Sequence, residues 1–135
     1  MLRITPYDHR FSDLDEWPAD VDLILSALEA ADPRVGHSRQ SRRRRMRVLA
    51  RLSLFVSPLD EGPIRLFTRD ADDRHLGFIA ESPLPLGFGG TVELVAPGGE
   101  LMSIGCLVYR CRECVPCWYE GVLNFNRPQP SFGRA

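Results

Sequence analysis

The chain contains no lysine: all 17 of its basic residues are arginine. Arginine carries a planar fork of donors that suits phosphate oxygens and base edges better than an ammonium does. Long apolar runs are also absent, and nothing approaches the roughly 18 residues that a membrane-spanning helix needs. The opening Met1-Leu2-Arg3-Ile4-Thr5-Pro6-Tyr7-Asp8 lacks the apolar core of a secretory signal. A cytoplasmic chain with no membrane partner is expected. No serine or cysteine stands in a recognisable nucleophile motif, and Gly87-Phe88-Gly89-Gly90 is too short and wrongly placed for a phosphate loop. A non-enzymatic protein without a cofactor is therefore expected. His9, His37 and His75 stand at no metal-ligand spacing.

What is present is unevenly distributed. The 135 residues suffice for one domain with a modest core, and the net charge is only −1. Yet residues 8–32 hold eight acids and one arginine, whereas residues 34–51 hold eight arginines and no acid. Within the acidic part, Leu14, Trp17, Val21, Ile24, Leu25 and Leu28 recur at helical spacing. Pro18 suits a first turn, Asp20 and Asp22 its positive end, and Asp32-Pro33 the stop, so a helix is predicted over about residues 18–31. From residue 48 the periodicity changes to alternation, with Val48, Ala50, Leu52, Leu54 and Val56 on one face. Further strands are predicted at 64–68, 76–80, 91–95, 101–108 and 118–125, with 109–117 carrying the chain round into the last of them, Cys114 and Cys117 in its tight turn, and Ala96-Pro97-Gly98-Gly99-Glu100 closing a hairpin. Closely spaced strands without intervening helices point to a mainly β fold, an antiparallel barrel or sandwich. The chain then divides into an N-terminal segment at 1–40 with one amphipathic helix and a linker, a β domain at 41–126, and a disordered tail at 127–135.

Three segments carry candidate chemistry. Arg42-Arg43-Arg44-Arg45-Met46-Arg47 directly precedes a strand, and reads as a solvated basic linker, a nucleic-acid arm or a phosphate-gripping arm. The acidic stretch around Asp70, Asp72, Asp73 and His75 reads as an exposed turn, a hard-metal site or an acceptor for guanine N–H donors. Cys106, Cys111, Cys114 and Cys117 lie in one short stretch, which argues against structural disulfides in a cytosolic chain. Two of their intervals suit a zinc knuckle. Cys106 and Cys111, however, are five apart on a predicted strand and are expected to face opposite sides, so a metal is not expected. No aromatic platform is interleaved with the arginines, so nucleic acid is not the expected partner.

Taken in order, the arginine segment and the acidic turn resemble the PilZ family, whose members carry Arg-x-x-x-Arg before the first strand and Asp/Asn-x-Ser-x-x-Gly between the second and third. Arg43 and Arg47, preceded by Arg42, match the first motif, and Asp70 opens the second. Leu76-Gly77-Phe78-Ile79-Ala80 resembles the stretch that follows, and Tyr109-Arg110-Cys111-Arg112 with Trp118-Tyr119-Glu120-Gly121-Val122-Leu123-Asn124-Phe125 the family's last hairpin. The likeness spans about residues 41–125. It implies a six- to seven-stranded antiparallel barrel preceded by a helix, and a sensor of cyclic di-GMP. By that resemblance the ligand-binding residues are Arg42, Arg43, Arg47, Asp70, Asp72 and His75, and an unidentified protein partner receives the signal. Asp72 stands where the family has serine and His75 where it has glycine. The alternative implied is a degenerate PilZ domain that binds no nucleotide and serves as a protein-interaction module. A second alignment, through Asp72, Arg74 and Gly77, keeps the glycine but shifts the strand that follows.

Overall fold

Even spacing of apolar residues turns the β region into a tube. In the computed structural model, which describes residues 17–31, 43–56 and 62–133, the strands are β1 (Arg44–Arg45), β2 (Leu49–Leu54), β3 (Ile64–Ala71), β4 (His75–Ala80), β5 (Gly89–Val95), β6 (Leu101–Val115) and β7 (Trp118–Phe125). Every pairing is antiparallel, in the order β1-β3-β2-β5-β6-β7-β4. Pairing of β3 with β4 closes β2–β7 into a six-stranded barrel, leaving β1 as an extra strand. Ala50 and Leu52, Leu66, Leu76 and Phe78, Val92 and Leu94, Ile104 and Cys106, and Leu123 and Phe125 form one buried cluster. These residues alternate along their strands, so one face of every strand points into the barrel. A side chain of leucine or phenylalanine size buried there contributes about 1.5–3 kcal/mol.

The helix α1 (Ala19–Ala31) lies against the outside of this barrel. Val21 and Leu25 are buried with Leu49, Phe67 and Ile79, and Ile24 and Leu28 complete the apolar stripe. The Trp17 ring meets Phe67 edge-on at 5.2 Å, and Trp118 packs on Phe67 at 5.9 Å. Arg69 donates from Nη2 to the Leu28 carbonyl, placing a cation where the helix leaves its last carbonyls unpaired. Among the described residues no helix is long and apolar enough to cross a membrane. The tail segment expected to be disordered carries the short helix α2 (Pro130–Gly133), and Phe132 is buried there, 5.4 Å from the Phe125 ring.

The largest departure from the sequence reading is the length of β6, which runs on to Val115, past the expected end at Val108 and through Cys114, which was expected in a tight turn. Beyond Tyr109 it exposes most of its residues on both faces, so alternation is lost although pairing with β7 continues. The register slips between Val108 and Arg110, marking Tyr109 as the extra residue of a bulge. The slip inverts the parity that was expected to separate the first two cysteines. Cys106 and Cys111 both pack on the barrel core, correcting the expectation of opposite faces. Three cysteines thus lie on the strand, and Cys117 sits in the turn with a positive φ of 70°.

Candidate functional site

The arginine arm is laid along the end of β3. Arg44 pairs with Ala71 and Arg45 with Asp70, and the Met46 amide donates to the Arg69 carbonyl. Thr68, fully buried, fastens the next step: its hydroxyl accepts from the Val48 amide at 2.8 Å and lies 2.9 Å from the Met46 carbonyl. This anchoring brings Arg43 onto the acidic turn. Its guanidinium lies 3.6 Å from Asp70 Oδ1 and 4.0 Å from Asp72 Oδ2, each side chain at most 16% exposed. Two carboxylates that would repel each other across the turn thus share one cation.

Each carboxylate is held by a local device. The register slips between Thr68 and Asp70, making Arg69 a bulge residue. The bulge lets Arg69 and Asp70 meet on the outer surface, with Arg69 Nε 3.9 Å from Asp70 Oδ2. Opposite Asp70 stands Gly77, and a Cβ at that position would collide with the Asp70 carboxylate. Glycine is required there by close approach, with its backbone in an ordinary strand conformation. Asp72 Oδ1 accepts from the Arg74 amide at 2.8 Å, the His75 amide at 2.7 Å and faces His75 Nδ1 at 3.0 Å. Burial pushes the Asp72 carboxyl up, but the Arg74 amide and the His75 ring and amide outweigh it and hold the group below the usual aspartate value. His75 pairs across the sheet with Asn124, whose buried Oδ1 has no hydrogen-bond partner among the described residues.

Arg47 is engaged elsewhere. Its Nη1 donates to the Arg69 carbonyl at 2.6 Å and its Nη2 to Glu29 of α1 at 3.3 Å. Burial lowers the Arg47 value and Glu29 opposes that fall. Arg45 reaches the same Glu29 at 3.5 Å. Of the six residues expected to form one site, Arg43, Asp70, Asp72 and His75 are brought together. Arg47 is turned to the helix, and Arg42 lies outside the described residues. The residues missed by sequence reasoning are Glu29, Thr68, Arg69, Gly77 and Glu120. Gly77 alone carried a signal, as the glycine of the second alignment.

The network continues past the turn. Arg69 Nη1 donates to Glu120 Oε2 at 3.1 Å, and Arg110 and Arg112 both reach Glu120 Oε1 at 3.2 Å. Guanidiniums and carboxylates therefore run in a chain from Arg43 through Asp70 and Arg69 to Glu120. The thiols offer little by contrast. Burial raises the Cys106 thiol to about 11 and pushes those of Cys111 and Cys114 up as well, keeping all three protonated at neutral pH. Among the described residues no three His, Cys, Asp or Glu side chains are grouped to hold a metal ion. Comparison with protein-family models, with curated proteins and with solved structures gives no match.

Proposed function

We propose that the chain is a cytoplasmic, non-enzymatic sensor of cyclic di-GMP whose own carboxylates hold the arginines that grip the ligand. The observation that supports this reading is the docking of the arm beside the turn, with Arg43 between Asp70 and Asp72. A ligand with two phosphates and two guanine edges presents matching groups. Its phosphates replace the protein carboxylates as partners of Arg43 and Arg47, and the released Asp70 and Asp72 accept from guanine N–H donors. Because Glu29 holds Arg47, capture of Arg47 loosens the end of α1, and the signal passes to a protein partner as movement of that helix.

Calorimetric titration of the full chain with cyclic di-GMP tests the reading. Arg43→Ala and Arg47→Ala are each expected to cost about 1.5–3 kcal/mol of binding, the range for a hydrogen bond to a charged group. Glu29→Gln is expected to strengthen binding severalfold, because it removes the internal competitor. If neither the wild-type chain nor Glu29→Gln binds the nucleotide, the reading falls. The second reading, an interaction module without nucleotide, then takes its place. One observation favours it: Asp72 stands where the PilZ pattern has serine, and its Oδ1 is already occupied by donors of its own turn.

A further inference from the structure

We propose that the barrel mouth beside β1 is a second binding site, for a small aromatic anion. It uses the residues of the arm that the arm-and-turn site does not. A cavity of about 320 Å³ opens there, walled by Met46, Val48, Val95 and Phe132, with Arg44 and Arg45 on its lining. Neither Arg43, which faces the acidic turn, nor Arg47, which faces Glu29, lines it.

Three features set the ligand class. First, the walls are apolar. Met46 and Val48 pack on the barrel core, and Phe132 is held there against Phe125, so an apolar body entering the cavity loses water against preformed surface. Second, the size is defined. A cavity of about 150 Å³ holds one benzene ring, so twice that volume suits about two fused rings. Third, the lining carries a cation with no counter-charge among the described residues. Arg45 is tied to Glu29, but Arg44 is exposed and has no carboxylate within ion-pair distance among the described residues. A carboxylate or sulfonate on the ring system meets that guanidinium while the rings occupy the wall. The half-buried Met46 thioether packs favourably against an aromatic body.

The test is a titration of the isotope-labelled full chain with 2-naphthoate and with its neutral analogue 2-naphthalenemethanol, followed by amide NMR shifts. Binding of both probes is expected to shift Val48, Ala71, Val95 and Gly99 in the millimolar range or below, with 2-naphthoate the tighter. Arg44→Ala, an exposed change, is expected to weaken 2-naphthoate about threefold to tenfold and leave the alcohol unchanged. Val48→Phe, which fills the cavity, is expected to abolish both; if that chain does not fold, the Arg44→Ala pair of titrations decides. No saturable shifts, shifts centred away from these residues, or equal 2-naphthoate affinity in Arg44→Ala would each overturn the proposal.

Discussion

Two charge clusters on the barrel surface are near mirror images. Around Glu120 one carboxylate is met by three guanidiniums, those of Arg69, Arg110 and Arg112. Around Arg43 one guanidinium is met by two carboxylates, those of Asp70 and Asp72. They differ in depth and in length. Glu120 is 4% exposed and lies 3.1–3.2 Å from the three guanidiniums, whereas Arg43 lies 3.6 and 4.0 Å from Asp70 and Asp72, side chains 13–16% exposed. The difference separates a lock from a latch. Glu120 holds Arg69, which in turn caps α1, so the first cluster ties helix to barrel. The second joins arm and turn through Arg43 at the longer distances of 3.6 and 4.0 Å, contacts that a stronger anion can replace.

If that distinction holds, the largest effect comes from the lock. Glu120→Gln leaves the Arg69 guanidinium buried beside a neutral amide, and loss of one member of a buried pair costs about 3–5 kcal/mol. The lower end, about 3 kcal/mol, is expected because Arg69 retains the Leu28 carbonyl and Asp70. Urea denaturation measures it. A loss below 1 kcal/mol would erase the distinction between the clusters.

Next in size is Gly77→Ala, which strikes the latch from behind. The new Cβ occupies the space of the Asp70 carboxylate, so Asp70 must move or the β3–β4 pairing must open. Overpacking of this kind costs about 1–3 kcal/mol. The same substitution is expected to weaken cyclic di-GMP binding if Asp70 meets guanine, which separates the structural from the binding role by calorimetry.

Such devices were only partly legible in the residues. Alternation made the strands readable and three-and-four spacing made α1 readable, because both follow from burying one face. The bulges at Arg69 and Tyr109 were not readable. A bulge adds one residue without requiring a distinctive one, yet it decides which side chains share a face. Glu29 and Glu120 were hidden for another reason: their partners Arg47 and Arg69 lie 18 and 51 residues away, and only folding brings them together. The outer part of β6 escaped because it is exposed on both faces and has no burial pattern to read. The arm and turn were legible as charge blocks, but not Asp72's part in closing its own turn.

That part of Asp72 sets a smaller and pH-dependent effect. Its carboxyl is held below the usual aspartate value, so the folded state binds its proton more weakly than the unfolded chain does. The stabilisation is therefore fully present above the unfolded value of about 3.9 and is lost as pH falls through the lower folded value. Asp72→Asn keeps an acceptor for the turn amides but not its charge, and is expected to cost about 1 kcal/mol at neutral pH. Thermal denaturation from neutral pH downwards should show the two proteins converging in acid. A gap that persists in acid would mean that Asp72 acts through shape and not charge.

The smallest effect belongs to Arg112, and it tests the comparison most sharply because it shares its carboxylate with the lock. Its Nε lies 3.2 Å from Glu120 Oε1, nearly the same distance as Arg69 from the other oxygen, yet its side chain is 71% exposed. Distance alone would assign the two arginines equal weight. Depth does not, because an exposed guanidinium is solvated whether paired or not, and holding a long side chain in place costs entropy. With Arg69 and Arg110 still facing Glu120, Arg112→Ala leaves no buried charge unpaired. The expected loss is below about 0.5 kcal/mol, shrinking further in high salt. Denaturation of Arg112→Ala at low and high ionic strength checks it. A loss near that of Glu120→Gln would mean that all three guanidiniums act as one unit, and that the lock extends to the exposed strand beyond the bulge.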